Sequence, residues 1–135
     1  MSEQDNAQVV KDLYAAFGRG DIPAILAAIS DDARLHHAGS DAVPWGSRAH
    51  TGTAEWEEFF RDLGATLEPE AFAPHTYVAQ DERVVALGDY SFRARASGKS
   101  FESPWATAWT FRDGKPIDCR VYEDTETQAN AVRGG

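Results

Sequence analysis

The sequence is poor in several features that mark particular classes of protein. It has one cysteine among 135 residues, which excludes an internal disulfide and suits a reducing compartment. It contains no run of about 18 apolar residues of the kind that spans a membrane. The amino-terminal residues MSEQDNAQ lack the basic start and apolar run of a signal peptide. We therefore expect a cytoplasmic protein that does not insert into membranes.

Basic residues are also few. The chain has 13 Lys and Arg against 22 Asp and Glu, a net charge of −9. Nucleic-acid-binding proteins use Lys and Arg to replace the counterions of phosphates, so we expect no nucleic-acid partner. With 42% hydrophobic and 26% charged residues, the composition is that of an ordinary globular protein. We expect a single domain over residues 1–135.

The stretch from Phe101 to Asp124 dominates the predicted sheet. Large aromatic residues alternate with smaller or polar ones, which is the period of a half-buried strand. The residues predicted to share its buried face are Phe101, Trp105, Thr107, Trp109 and Phe111. Asp113-Gly114 then predicts a hairpin turn, because glycine tolerates a positive φ. A second strand is predicted from Pro116 to Tyr122. The aromatic face of this hairpin is either part of the packed core or the wall of a pocket.

Helices are predicted mainly in the first half of the chain, where apolar residues recur at helical spacing. They run from about Asp5 to Gly18, from Ile22 to Ile29 with Asp21 as N-cap, and from Thr53 to Leu67. The remaining predicted strands are Ala33–His37, Ala71–Ala79 and Arg83–Ala96, and Ala38–Gly52 is expected to be a loop in which Val43 and Trp45 pack onto the fold. This order predicts an α+β fold, with a curved antiparallel sheet wrapped around three N-terminal helices. Such a cone leaves an internal pocket.

Several segments of the chain resemble a known family. They are LYAAFGRGDIPAILAAISDDA near the start, VVALGDY and SGKSFESPW in the middle, and WATAWTFRDGKP and RVYEDT near the end. Together they resemble the SnoaL-like, ketosteroid-isomerase-related branch of the nuclear-transport-factor-2-like superfamily. The resemblance covers nearly the whole chain and implies a cystatin-like cone. It does not imply one activity, because this superfamily includes isomerases, cyclases, hydrolases, dehydratases and binding modules.

The isomerases and cyclases of this superfamily abstract a proton next to a carbonyl group. That chemistry needs a base and a hydrogen-bond donor in a dry cavity. The resemblance makes Tyr14 the candidate donor, the alternative being a core tyrosine. It places the cyclases' acid near Asp124, which is also a good N-cap for a short terminal helix. Glu123 has the opposite parity, so only one of these two acids can point inward. We leave that choice open here.

Three further residues are candidates for the site. His37 shares a face with Leu35 and is a candidate catalytic residue, the alternative being a core histidine. Asp89 shares the predicted face of Val85 and Leu87, and an acid there is costly unless it is paired, which makes it a second pocket candidate. Arg120 is the expected partner for an acid on a neighbouring strand and a candidate ligand-binding residue. His50 and His75 are expected at the surface.

The large aromatic residues are candidates for the pocket wall, although tryptophans more often build core. The predicted ligand-binding residues are Phe17, Trp45, Trp56, Phe60, Trp105 and Trp109, together with Arg120. No cofactor is expected, because there is no glycine-rich nucleotide loop. No metal is expected either, because adjacent His36 and His37 point to opposite faces of a strand and Cys119 has no thiol partner.

Two functions remain open from the sequence. The first is a cofactor-free isomerase or polyketide-cyclase-like enzyme acting on a hydrophobic carbonyl compound. The second is a non-catalytic or stress-associated module that binds an apolar small molecule. Homodimers are the commonest oligomers and are frequent in this superfamily. We expect one here, with Tyr90 and Phe92 on an outer sheet face covered by the second copy.

Overall fold

The computed structural model describes residues 2–134 and shows four helices. They are α1 (Glu3–Gly18), α2 (Ile22–Ala28), α3 (Thr53–Thr66) and α4 (Thr125–Arg133). Ser2 and Asp5 form a reciprocal capping box at the start of α1. Asp21 caps α2 as predicted, since its carboxylate accepts a hydrogen bond from the Ala24 amide.

The strands form one six-stranded sheet. They are β1 (Arg34–His37), β2 (Ala49–Thr51), β3 (Leu67–Gln80), β4 (Arg83–Ala94), β5 (Ser100–Arg112) and β6 (Lys115–Glu123). Their order is β2-β1-β6-β5-β4-β3. Only β1 and β6 pair in parallel, and every other neighbouring pair is antiparallel. The predicted α+β fold with a curved, mainly antiparallel sheet is confirmed. Strand β2 was not predicted.

The large residues that alternate along β5 lie on the inner face of the sheet, as the sequence pattern predicts. Every second side chain from Phe101 to Phe111 is buried. Strand β6 lies beside it in a register that places Glu123 opposite Trp105, Val121 opposite Thr107 and Cys119 opposite Trp109. Directly opposite residues in an antiparallel pair point to the same face. The register therefore turns Glu123 inward.

The side chains of β4 face the opposite way from the prediction. Tyr90 and Phe92 are buried on the inner face, whereas Val85 and Leu87 are exposed on the outer face. The expectation that Tyr90 and Phe92 lie on an outer, dimer-forming face is therefore wrong. Within residues 2–134, the large apolar side chains that are exposed are Val78, Val85, Leu87 and Tyr122. Whether the protein is a homodimer stays a prediction.

Gly88 is the residue that lets β4 pack closely against β5. A Cβ added at Gly88 would lie 2.3 Å from Cζ2 and 2.6 Å from Cε2 of Trp105, and 2.8 Å from the Ala73 carbonyl oxygen. The paired strand β3 has a register shift between Pro74 and Thr76, opposite this position. A glycine in a strand often marks such a close approach. Gly88 thus makes room for the Trp105 indole.

The helices and one loop cover the inner face. Trp56 and Phe59 of α3 are buried, and so are Val43 and Trp45 in the segment between β1 and β2. This confirms that the loop residues Val43 and Trp45 pack onto the fold. Within residues 2–134, no helix has both the length and the apolar character needed to cross a membrane.

Candidate functional site

A cavity of about 130 Å³ lies between the inner face of the sheet and the helices. This is close to the engineered cavity of about 150 Å³ that binds benzene. Its wall is almost entirely apolar and rich in aromatic rings. The six predicted aromatic ligand-binding residues all line it: Phe17, Trp45, Trp56, Phe60, Trp105 and Trp109. The aromatic side chains therefore do not fill the cavity, which has room for roughly one small ring.

The first polar group in this wall is the Tyr14 cluster, formed by Tyr14, Thr107 and Trp109. The hydroxyl groups of Tyr14 and Thr107 are hydrogen-bonded to each other at 2.5 Å. The indole Nε1 of Trp109 donates to both oxygens, at 3.2 Å and 3.0 Å. Burial raises the pKa of Tyr14, so its hydroxyl group stays protonated. The cluster is held by α1 and β5.

The Tyr14 cluster has one proton more than it can use internally. The indole proton is shared between the two hydroxyl oxygens, and one hydroxyl proton lies between those oxygens. Each hydroxyl carries one proton, so the second one is left over. It finds no acceptor among the hydrogen bonds of residues 2–134. A ligand oxygen in the cavity can accept it.

The second polar group is the Glu123 cluster, formed by Glu123, Tyr90 and Gln128. The Tyr90 hydroxyl donates to Oε1 of Glu123, and Nε2 of Gln128 donates to the same oxygen at 3.4 Å. All three residues line the cavity. No hydrogen bond within residues 2–134 involves Oε2 of Glu123. One carboxyl oxygen is therefore anchored, and the other is available to a ligand.

The environment of Glu123 changes its acidity. Burial raises the pKa of its carboxyl group, and the hydrogen bonds from Tyr90 and Gln128 only partly oppose this. Burial, and then the Glu123 charge, raise the pKa of Tyr90, so Tyr90 remains a hydrogen-bond donor. A carboxylate with a raised pKa is a stronger base than an ordinary one. The geometry thus resolves the choice between the two adjacent acids in favour of Glu123 as the inward one.

Asp124 lies outside the cavity and serves as the N-cap of α4. Its carboxylate accepts hydrogen bonds from the Thr127 amide at 3.0 Å and the Thr127 hydroxyl at 2.7 Å. The bond from the Thr127 amide is the main reason that the pKa of Asp124 is lowered. The expectation of a catalytic Asp124 is corrected, because its oxygens are directed to the helix terminus.

Asp89 and Arg120 also lie away from the cavity. Asp89 is exposed on the outer face of β4, where Oδ2 is 3.4 Å from Nε2 of His75. Arg120 is exposed on the outer face of β6, and its Nε is 3.6 Å from the Asp118 carboxylate on the same strand. The prediction that both residues lie in the pocket is wrong. Alternate residues of a strand point to opposite faces of the sheet, and both residues occupy outward positions. Arg120 instead borders a second, outer groove.

His37 is inside the wall, at the end of β1. Its ring stacks on Phe59 with centroids 4.5 Å apart, and its Nδ1 has no partner within residues 2–134. Burial lowers the pKa of His37 to about 3, so the imidazole is neutral at ordinary pH. It lines both the cavity and the outer groove. His37 is thus a neutral polar group that borders the site.

His50 is buried, and the prediction of a surface position is wrong. It lies on β2, opposite Leu35, and its ring makes an edge contact with Phe59 at 5.7 Å. Neither ring nitrogen has a partner within residues 2–134. Burial lowers the pKa of His50. Its position follows from β2, the strand that was not predicted. His75, by contrast, is exposed as expected.

Three residues of the two clusters were not among the predicted site residues: Thr107, Tyr90 and Gln128. Thr107 could have been found, because the alternation of β5 already placed it between two inward tryptophans. Tyr90 was missed because the inward and outward faces of β4 were predicted the wrong way round. Gln128 lies on α4, and no local sequence pattern indicates where this helix packs on the sheet.

Within residues 2–134, no three or more His, Cys, Asp or Glu side chains converge to form a possible metal site. The thiol of Cys119 is buried, and burial raises its pKa. The side chains of the two clusters offer hydrogen bonding and proton transfer.

Comparison with known proteins gives a family and a fold. Residues 10–118 match the sequence model of the SnoaL-like domain. No curated protein matches this sequence significantly. The structure is similar to an NTF2-like protein from Burkholderia xenovorans, with 34% identity, a TM-score of 0.86 and 98% of each chain covered.

Two further solved structures are similar over nearly the whole chain. An NTF2-like protein of unknown function from Burkholderia pseudomallei shares 30% identity, with a TM-score of 0.85 and 98% of each chain covered. A protein named TerC, co-crystallised with polyporic acid, shares 26% identity, with a TM-score of 0.85, and covers 96% of this chain and 98% of its own. The chain belongs to the SnoaL-like domain family.

Proposed function

We propose that this protein binds a small hydrophobic carbonyl compound in its cavity and moves a proton at the carbon next to the carbonyl group. Glu123 takes the proton, and the Tyr14 cluster donates a hydrogen bond to the carbonyl oxygen. The proposal is carried by one observation. A carboxyl group with a raised pKa and a spare hydroxyl proton line the same apolar cavity.

The chemistry follows from these two groups. The carboxylate of Glu123 removes a proton from the α-carbon, and the C–H electron pair becomes the C=C bond of an enolate. The carbonyl π electrons move to the oxygen, whose negative charge is stabilised by the donated hydroxyl proton. Protonated Glu123 then returns the proton to the same carbon or to a conjugated one. No metal or redox cofactor takes part in this sequence.

Two features of the wall favour proton transfer. The apolar lining lowers the local dielectric, which strengthens the hydrogen bond to a developing oxyanion. The neutral imidazole of His37 adds a polar group whose Nδ1 is unpartnered within residues 2–134. We propose that His37 assists by hydrogen bonding and does not take the substrate proton.

Polyporic acid in the TerC structure supports a cavity that accepts an organic ligand, because the two chains share 26% identity over nearly their full length. The cavity of about 130 Å³ in this chain is close in volume to one that holds a single benzene ring. We propose ligands of one ring.

The test is deuterium exchange. The protein is incubated in D₂O with cyclohexenone, and loss of the exchangeable C–H signals is followed by proton NMR against a protein-free sample. Accelerated exchange is expected. Saturable binding without exchange would instead establish the second function, a non-catalytic binding module. Absence of binding would contradict both functions for single-ring ketones.

A further inference from the structure

The outer groove has a volume of about 280 Å³ and is bounded by residues 36–38, 47–49 and 120–122. It lies where β1 ends. The last residue of β1, His37, pairs with Val121, whereas β6 continues to Glu123. The chain leaves the sheet after His37, and no strand of residues 2–134 takes its place beside the end of β6. The groove therefore occupies the space that a longer β1 would fill.

Two arginine side chains line the outer groove, and no acidic residue among residues 2–134 does. This contrasts with the whole chain, whose net charge is −9. Arg120 pairs directly with His36 in the register of β6 and β1, so both side chains project from the outer face. Arg48 lies next to them, because its carbonyl oxygen accepts a hydrogen bond from the His37 amide at 3.3 Å. An acidic protein thus concentrates two guanidinium groups at one concave site.

Arg120 has hydrogen-bonding capacity that the protein does not use. Its Nε lies 3.6 Å from Oδ2 of Asp118, which is too long for a hydrogen bond, and within residues 2–134 its Nη1 and Nη2 have no partner. The other oxygen of Asp118 lies 2.8 Å from Nε2 of His36. Arg48 is already engaged through Nη2, which donates to Glu58 at 3.1 Å. A guanidinium group with both terminal nitrogens free binds a carboxylate through two parallel hydrogen bonds.

The imidazole of His37 provides a further polar group at the groove. The residue is 8% exposed, and its Nδ1 is buried without a partner within residues 2–134. Its Nε2 makes no hydrogen bond within these residues either, but Nε2 is not a buried atom. The cavity wall is almost entirely apolar, whereas the groove wall is mixed, so we place the accessible nitrogen on the groove side. A buried N–H without an acceptor is costly, so we place the proton of the neutral ring on Nε2.

We propose that the outer groove binds a small organic carboxylate. Its two oxygens accept hydrogen bonds from Nη1 and Nη2 of Arg120, while His37 donates from the floor of the groove and Arg48 adds a second positive charge. The apolar part of the ligand lies against Val121 and the exposed ring of Tyr122. This inference goes beyond the proposed function, because it concerns a second site and uses no residue of the Tyr14 cluster or the Glu123 cluster.

The mixed wall determines which molecules the groove can distinguish. A neutral amide of the same shape keeps the apolar contacts but loses the charge-assisted hydrogen bonds, which are about twice as strong as neutral ones. Inorganic phosphate keeps the charge but has no apolar part. Arg120 is 55% exposed, so solvent weakens the ion pair, and we expect a dissociation constant on the order of 1 mM for the carboxylate.

The direct test is a titration of the ¹⁵N-labelled protein with benzoate, benzamide and inorganic phosphate at constant ionic strength. Benzoate is expected to shift the amide resonances of residues 47–49 and 120–122 saturably, and to bind about tenfold more tightly than benzamide or phosphate. The indole N–H of Trp109 reports on the cavity and should not move.

Four results would overturn the proposal. They are no binding of benzoate, equal binding of benzoate and benzamide, tighter binding of phosphate than of benzoate, and a shift of the Trp109 indole without shifts around the groove. The third result would assign the groove to phosphate, and the fourth would place benzoate in the cavity.

A variant gives the second test. Arg120→Gln removes the guanidinium group and should weaken benzoate binding by about tenfold, with little effect on benzamide. Arg61→Gln is the matched control, because Arg61 is also exposed and pairs with one acid, Glu57, at 3.5 Å on α3. It removes the same charge away from the groove and should leave benzoate binding nearly unchanged. Equal losses in the two variants would reveal a general charge effect and would contradict a site at Arg120.

Discussion

The two polar clusters in the cavity wall differ in what they can offer a ligand. The Tyr14 cluster contains three donor protons, of which one is left over. The Glu123 cluster contains a carboxyl group with one anchored oxygen and one oxygen without a protein partner. One cluster therefore offers a hydrogen-bond donor, and the other offers a carboxyl oxygen. In the proposed function, this asymmetry orients the carbonyl compound, because the donor meets its oxygen and Glu123 meets the neighbouring carbon.

The largest expected effect comes from removing the base. Glu123→Gln keeps the shape and the hydrogen bond from Tyr90 but cannot accept a proton from carbon. We expect the rate of exchange to fall by about 10² to 10⁴, with cyclohexenone binding largely retained. The measurement is the initial exchange rate in D₂O.

Asp124→Asn is the matched control for that variant, because it alters the neighbouring acid at the N-cap of α4. It should leave the exchange rate nearly unchanged. If Asp124→Asn lost exchange and Glu123→Gln kept it, the assignment of the two acids would be reversed.

The next effect comes from the donor cluster. Tyr14→Phe removes the tyrosine hydroxyl donor, so Thr107 receives the Trp109 N–H and the only unused proton is that of the Thr107 hydroxyl, which no longer has the Tyr14 oxygen beside it. We expect the exchange rate to fall by about 10², near the lower end for loss of one oxyanion donor. Tyr77→Phe is the control, since Tyr77 packs near Tyr14 with ring centroids 6.5 Å apart but does not line the cavity. Comparable losses in both variants would assign the effect to packing.

A third prediction concerns the wall that supports both clusters. Gly88→Ala places a Cβ 2.3 Å from the Trp105 ring, and we expect overpacking to lower the free energy of unfolding by about 1–3 kcal/mol. Gly64→Ala is the control, because nothing lies within 4 Å of its added Cβ on α3 and alanine favours a helix. Urea denaturation measures both. Equal stability of the two variants would mean that Trp105 is less confined than described.

The smallest effect is on acid stability. Because the pKa of His37 is lowered to about 3 from 6.5, the folded protein binds fewer protons than the unfolded chain between those pH values. Stability must then fall as the pH drops through this window. His37→Phe should reduce that slope. Urea denaturation at several pH values between 4 and 7 measures the slopes. An unchanged slope in His37→Phe would contradict the burial of a neutral imidazole.

How far the sequence predicts this site depends on which strand is considered. In β5 the aromatic residues occupy one parity only, so the inward face from Phe101 to Phe111 was predictable. In β4 both parities are apolar, with Val84 and Ala86 on one face and Val85 and Leu87 on the other. Local pattern cannot distinguish such faces. Tyr90 and Asp89 were misassigned for that reason.

The pair Glu123 and Asp124 shows a second limit. Both readings of Asp124, acid and N-cap, were available from its sequence context. The decision depends on the pairing of β6 with β5, which places Glu123 opposite Trp105. It also depends on α4 beginning at Thr125. Register between strands is a long-range property, so a single sequence leaves it open. Strand β2 escaped prediction because three residues carry too short a pattern.

The most direct test of the account is the pH profile of the exchange rate for cyclohexenone. Glu123 must be ionised to act, and burial raises its pKa above the ordinary value of 4.5. The account predicts that the rate rises with pH through a midpoint above 4.5 and that this rise is absent in Glu123→Gln. A rate already at its maximum at pH 4.5, or the same profile in Glu123→Gln, would show that Glu123 is not the base.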